Sequence, residues 1–428
     1  MSTHAPTRPL RAAVTAAAAT LAVAAGVLTS IGAPSQAAGT DAAPSAVAAD
    51  LPAHVLTGYW HNFDNGSGVM RLSDVPEQYD IVAVAFADAV PTRSGAIDFA
   101  LDPAVSSALG GYDEAAFKAD IATLHAQGRQ VIISVGGQNG TVHLDDVAAG
   151  QAFADSTIAL MEEFGFDGVD IDLENAPNLE HMTEALRAID AAKPGYTLTM
   201  APETIYVQPG GSYLALIDQV ADLITVVNTQ YYNSGSMIGR DGKVYSSGTV
   251  DFQTALADIL LDGHLRPDQV GLGLPATSQA AGSGYVAPAV VNQALDCLAT
   301  GQRCGSYTPA DTYPTIRGAM TWSINWDATN GYAFATTVGG HLGSLPGGGG
   351  VTNPPTTPPT TPPTTPPTTD PTDPPAGCES VPAWAAATAY NGGAVVSYAG
   401  HRWQARWWTQ GEAPKVQDWY VWADQGAC

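Results

Sequence analysis

Positively charged side chains are scarce: Lys and Arg together number 16 in 428 residues, and four of these are Lys. Set against 41 Asp and Glu, they leave a formal charge of −25. That balance excludes a nucleic-acid partner, because DNA and RNA are held by Lys and Arg neutralising phosphates. Cysteine is sparse as well. Four cysteines cannot build a disulfide-dense miniprotein, but they suit two bridges in an oxidising compartment. No His-Glu-x-x-His motif or clustered His/Cys set occurs, so no metal and no cofactor is expected. What is present is apolar: 45% hydrophobic against 13% charged residues, enough to bury a sizeable core and to rule out wholesale disorder.

Long apolar runs are missing too, except at the amino terminus. Arg8 and Arg11 precede an Ala-rich run from Ala12 to Leu28, and Ser35-Gln36-Ala37 supplies a small-x-small cleavage pattern. A single membrane anchor competes with this reading, but the cleavage pattern favours a secretory signal over residues 1–37. The mature protein is therefore expected to be secreted and extracellular, with no membrane partner, and a monomer. Residues 38–52 read as a flexible leader.

One boundary is compositional. A glycine run at 347–350 opens into a Pro-Pro-Thr-Thr repeat, with nothing apolar to bury, so 346–377 reads as a semi-rigid spacer. It separates a body at 53–345 from a tail at 378–428. The body alternates strand and helix patterns. Strands are expected at Val55–Tyr59, Ile81–Phe86, Gln130–Val135, Gly168–Leu173, Thr197–Ala201, Thr225–Gln230, Gln269–Leu274 and Gly318–Trp322. Amphipathic helices are clearest at Asp113–Gln127, Gln151–Phe164, Pro177–Ala192 and Asp251–Leu261. Eight strands interleaved with helices predict an α/β fold of the closed (β/α)8 TIM-barrel type. An open doubly wound sheet competes, but its dinucleotide fingerprint after the first strand is absent.

The fourth strand carries the chemistry: Phe166-Asp167-Gly168-Val169-Asp170-Ile171-Asp172-Leu173-Glu174-Asn175. Strand side chains alternate faces, so Asp170, Asp172 and Glu174 share one face and Val169, Ile171 and Leu173 the other. In a barrel the aliphatic set packs on the helices, and the acids line the interior toward the carboxyl-terminal mouth, where active sites of this architecture lie. Three such carboxyls cannot all ionise cheaply, so at least one holds a proton near neutrality. A held proton at a pocket mouth is what general-acid cleavage of a glycoside requires. An exposed acidic edge strand is contradicted by the alternating aliphatics. A calcium loop counted from Asp170 needs Gly and Glu where Asn175 and His181 stand.

These residues resemble glycoside hydrolase family 18, the chitinases and related endo-N-acetylglucosaminidases, through its D-x-x-D-x-D-x-E signature. Ser134-Val135-Gly136-Gly137 is similar to the family's S-x-G-G motif, Gln230-Tyr231-Tyr232-Asn233 to its tyrosine segment, and Trp322 to its strand-eight tryptophan. The resemblance implies substrate-assisted retaining catalysis. Glu174 acts as general acid, the substrate's 2-acetamido oxygen forms an oxazolinium ion, Asp172 orients the acetamido group, Asp170 tunes Asp172, and Tyr232 holds the acetamido oxygen. Tyr59, Gln230, Asn233 and Trp322 are expected to contact sugar, and Ser134, Gly136 and Gly137 to position strand four by close packing. Gln230 and Asn233 depart from the commoner M-x-Y-D form, which puts the roles of that Asp in doubt. Asp167, out of phase, is expected to be structural.

The tail packs six of the nine Trp into 51 residues bracketed by Cys378 and Cys428, as suits a domain too small to stand on its core alone. It resembles the small all-β chitin-binding modules of carbohydrate-binding families 5 and 12, with one of Trp407 and Trp408 expected to stack on sugar. Together these parts imply a secreted endo-acting chitinase whose partners are chitin or N-acetylglucosamine oligosaccharides. An endo-β-N-acetylglucosaminidase acting on N-glycans and a non-catalytic lectin are the alternatives. Leu274 and Gly318 bracket 43 residues, room for a helix at Val286–Thr300 and a loop tied by Cys297–Cys304, but not for an inserted wall domain.

Overall fold

A computed structural model describes residues 51–138, 140–347, 381–386, 388–390, 394–405, 409–410, 413–415 and 422–427. The expected signal, most of the leader and the spacer lie outside the described residues, as do Cys378, Cys428, Trp407 and Trp408.

Eight parallel strands form the body: β1 (Val55–His61), β2 (Ile81–Ala89), β3 (Gln130–Gly136), β4 (Gly168–Asp172), β5 (Thr197–Met200), β6 (Ile224–Gln230), β7 (Val270–Pro275) and β8 (Gly318–Trp322). Each pairs with the next in chain order, and β8 returns to β1 with Gly318 opposite Val55, so the sheet closes as the predicted barrel. The alternating pattern explains its two apolar layers. Val131, Ile133, Val135, Val169, Ile171 and Leu173 face outward into the large cluster under the helices. Val55, Tyr59, Ile81, Ala83, Ala85, Ile132, Ala201, Val226 and Met320 make a smaller cluster inside the barrel.

Local capping sets where the helices begin. The principal helices are α1 (Glu114–Ala126), α2 (Val147–Phe164), α3 (Leu179–Ala192), α4 (Ser212–Val220), α5 (Val250–Leu261) and α6 (Pro288–Thr300). Asp113, Asp146, Asn178 and Thr249 each accept a hydrogen bond from a first-turn N–H, satisfying donors the helix leaves orphaned. Asp146 thereby starts α2 four residues ahead of the expected Gln151, and Asn178 delays α3 past Pro177. Gly165, at φ 83°, ends α2 in the left-handed conformation that glycine adopts without steric cost.

Between β7 and β8 the chain supplies α6 and a loop closed by the expected Cys297–Cys304 bridge. The segment that follows this loop is stitched to α5: buried Asp258 accepts from the Tyr307 and Tyr313 hydroxyls, and Asp251 accepts from the Tyr307 N–H at 2.9 Å. Among the described residues no helix is long and apolar enough to cross a membrane.

The tail contains an antiparallel sheet of Val395–Tyr398, His401–Ala405 and Trp422–Ala427, with Ala389–Tyr390 paired to Thr409–Gln410. Trp403 and Trp422 are buried there with Val396 and Ala405. These two rings thus serve the small core.

Candidate active site

Asp170 and Asp172 of β4, with Glu174 two residues beyond its end, form a graded row from the barrel interior to its mouth. Asp170 is fully enclosed. Its Oδ2 accepts from the Tyr59 hydroxyl at 2.8 Å and the Ser134 hydroxyl at 2.7 Å, and its Oδ1 from Thr199 at 2.5 Å. Burial pushes the Asp170 carboxyl up, and the three hydroxyl donors oppose that shift by stabilising the anion. Asp172, also buried, accepts from Gln230 Nε2 at 2.7 Å. Burial raises its carboxyl well above the usual range, and the neighbouring Asp170 and Glu174 charges raise it further. Asp170 has three hydroxyl donors to stabilise its anion and Asp172 has the one amide donor, so burial weighs more heavily on Asp172. Glu174 lies half-buried at the mouth, and burial followed by the charge of Glu203 raises its carboxyl.

The backbone behind this row is unusually close. Gly136 ends β3 at φ 124°, and a Cβ there would sit 2.0 Å from the carbonyl oxygen of Asp172. The same oxygen accepts from the Gly137 N–H at 2.8 Å. The two glycines therefore pack as expected, whereas Ser134 does more than pack, since its hydroxyl reaches Asp170. Asp167 points outward, accepting from His125 Nε2 at 2.8 Å and the Val131 N–H at 2.7 Å, which ties β4 to α1 and β3.

Tyr232 follows β6, is buried, and has its phenol pushed up by burial and then by the charges of Asp172, Glu174 and Asp170. It therefore faces the carboxylate row, with the loop at Gly284 packed against its backbone. Gln230 turns inward, and its Nε2 is shared between Asp172 and the Ala201 carbonyl, so this amide orients a carboxylate. Asn233 is exposed, with φ 50°, and its Oδ1 accepts from the Gly282 and Ser283 N–H groups, pinning that loop. Tyr59 is buried beneath the row rather than open at the mouth. Trp322 is partly exposed, with its ring centroid 5.4 Å from Tyr59, 4.8 Å from His61 and 5.8 Å from Phe86. Non-proline cis peptides join Ala85 to Phe86 and Trp322 to Ser323.

The sequence motifs did not point to Thr199, Glu203 or the neighbours of Trp322 other than Tyr59, namely His61, Phe63 and Phe86. Their signal was available for Glu203, which continues the two-residue phase of Thr197, Thr199 and Ala201 just past a barrel strand. His61 gave none. It is a buried neutral imidazole, pushed down to about 3 by burial and stacked on Phe63 at 4.4 Å. Among the described residues no group of three or more His, Cys, Asp or Glu is arranged to hold a metal ion.

Residues 55–343 match the sequence pattern of Glycosyl hydrolases family 18, which covers more than half of the chain. The chain belongs to that family. Residues 383–423 match Carbohydrate-binding module family 5/12. Among curated proteins, this family 18 chain is 40% identical over 342 residues to Exochitinase 1 of Streptomyces olivaceoviridis, covering 69% of the chain and 57% of that protein. It is likewise 40% identical over 321 residues to Chitinase Chi52 of Paenibacillus xylanexedens, covering 66% and 60%. The chain thus spans under two thirds of the length of these relatives. A solved structure from Streptomyces coelicolor shares 56% identity at TM-score 0.67, covering 68% of this chain and 99% of that one.

Proposed function

We propose that the chain is a secreted chitinase that hydrolyses β-1,4 links between N-acetylglucosamine units by substrate-assisted retaining catalysis. The observation that carries this reading is the in-phase carboxylate row ending in half-buried Glu174, whose environment favours a held proton at the barrel mouth. Glu174 delivers that proton to the glycosidic oxygen as the bond from C1 to that oxygen breaks. The acetamido oxygen of the same sugar attacks C1, giving the oxazolinium ion, so no second carboxylate acts as nucleophile. Asp172, held by Gln230, orients the acetamido N–H, and Tyr232 donates to the acetamido oxygen. Asp170 keeps the proton on Asp172. Glu174, now a carboxylate, takes a proton from water as that water attacks C1 and the bond from C1 to the acetamido oxygen breaks, which reopens the ring, regenerates the acetamido group, restores the acid and retains the anomer.

In this reading residues 1–37 are the secretory signal, 53–345 the catalytic barrel, 346–377 the spacer and 378–428 the chitin-binding module. The module favours insoluble chitin over N-glycans, because tethering raises local concentration on a surface and does little for a soluble glycoprotein. Deleting 378–428 is expected to lower adsorption to, and hydrolysis of, crystalline chitin, while cleavage of a soluble oligomer stays close to wild type. Equal loss on both substrates would make the tail part of the catalytic fold.

The chain between β7 and β8 is taken up by α6 and the disulfide loop, which leaves no wall domain and supports an open, endo-acting cleft. The experiment follows soluble oligosaccharide release from chitin together with the viscosity of a soluble chitin derivative. Release with an early collapse of viscosity is expected. Release of nearly pure dimer at steady viscosity would retain the chitinase and reject endo action. No release from either substrate would reject the reading itself.

A further inference from the structure

We propose that Glu203 is a positioning residue for this chemistry: a second carboxylate, three residues beyond the neighbouring strand β5 as Glu174 is two beyond β4, whose negative charge keeps the transferable proton on Glu174. The inference rests on the role given to Glu174 above. Strand register carries it. Asp170 lies opposite Thr199 and Ile171 opposite Met200, and the Ala201 N–H continues the ladder to the Ile171 carbonyl at 3.0 Å. Three residues past Ile171 stands Glu174, and three past Met200 stands Glu203. On its other flank Glu203 bridges Gln230 in parallel pairing, where the Gln230 N–H donates to the Pro202 carbonyl at 2.9 Å.

The side-chain phase agrees with that register. The Thr199 hydroxyl reaches Asp170, and Ala201 belongs to the apolar layer inside the barrel, so Glu203 continues an inward-facing row. Around the carboxylates stand Asp170 and Asp172 from β4, Tyr59 from β1, Glu203 and Tyr206 after β5, Tyr213 from α4 and Tyr232 after β6. All are acids or phenols, so none of them offsets the charge of Glu203. Burial raises both Glu174 and Glu203, and the charge of Glu203 adds to the rise of Glu174. With Glu203 ionised, its charge disfavours loss of the proton from Glu174.

The sign of the effect follows. Removing the Glu203 charge lets Glu174 lose its proton at lower pH, so the alkaline limb of kcat/KM moves to lower pH. The test compares full-length wild type, Glu203→Gln and Glu203→Asp on a soluble N-acetylglucosamine oligomer across pH. Glu203→Gln is expected to move the alkaline limb down by about one pH unit, which is about a tenfold change in the ratio of acid-side to alkaline-side rates. Glu203→Asp is expected to restore most of that shift. An unmoved limb would overturn the proposal, and so would equal loss at every pH, which marks a structural prop or a direct substrate contact. Glu174→Gln run in parallel separates the two claims. If it is inactive while the Glu203→Gln limb is unmoved, only this inference fails; if it is active, the reading of Glu174 fails.

Discussion

Chitin hydrolysis is expected to fall by about 10²–10⁴-fold in Glu174→Gln, the contribution typical of a positioned general acid. Gln keeps the shape and hydrogen-bonding capacity of the side chain but has no proton to transfer and cannot later take one from water. Both half-reactions therefore lose their proton carrier. Glu174 is half-buried at the mouth and lies outside both apolar layers, so the substitution leaves the packing that holds the barrel intact. Adsorption to insoluble chitin, assigned to the tail, should be preserved. The measurement is reducing-end release from chitin beside a pull-down on the same polymer. A variant near the wild-type rate would remove the mechanistic assignment, and one that also lost adsorption would point to misfolding instead.

The second large effect is expected from Gly136→Ala, a change of one methyl that touches no substrate. Gly136 sits at φ 124°, where an L side chain is strained, at a cost of about 1–3 kcal/mol for the backbone conformation alone. The added Cβ would also lie 2.0 Å from the Asp172 carbonyl oxygen and 2.9 Å from the Leu173 nitrogen. Those atoms are backbone and cannot swing aside, so β3 and β4 must separate. The melting temperature should drop by at least several degrees, at roughly 2–4 °C for each kcal/mol in a domain of this order of size. Activity should fall further than stability explains, because the displaced carbonyl belongs to Asp172 and shifts its carboxylate against Gln230. Calorimetry with kinetics measured well below the transition checks both parts. An unchanged melting temperature would show that the strands tolerate the methyl.

Local periodicity along the chain was enough to place the strands and the face of each acid. The alternation of Val169, Ile171 and Leu173 with Asp170, Asp172 and Glu174 put the acids on one face before any partner was known. The spacing of eight apolar segments implied closure into a barrel, and the glycines of β3 announced a close backbone approach. Helix ends were less legible, since the start of α2 depended on whether Asp146 would be used as a cap. The tertiary structure alone decided what each acid touches. Tyr59 reaches Asp170 from 111 residues away, and Thr199 and Ser134 reach it from the two flanking strands. It turned Gln230 toward Asp172 and spent Asn233 on the loop at Gly282, although the two lie three residues apart in one motif. It also placed Glu203 beside Gln230, bridged to it past the end of β5. The reason is physical: which face a side chain takes is settled within its own strand, but which atoms it meets depends on the register of neighbouring strands. That register is set by the closure of all eight, through pairings between residues far apart in the chain.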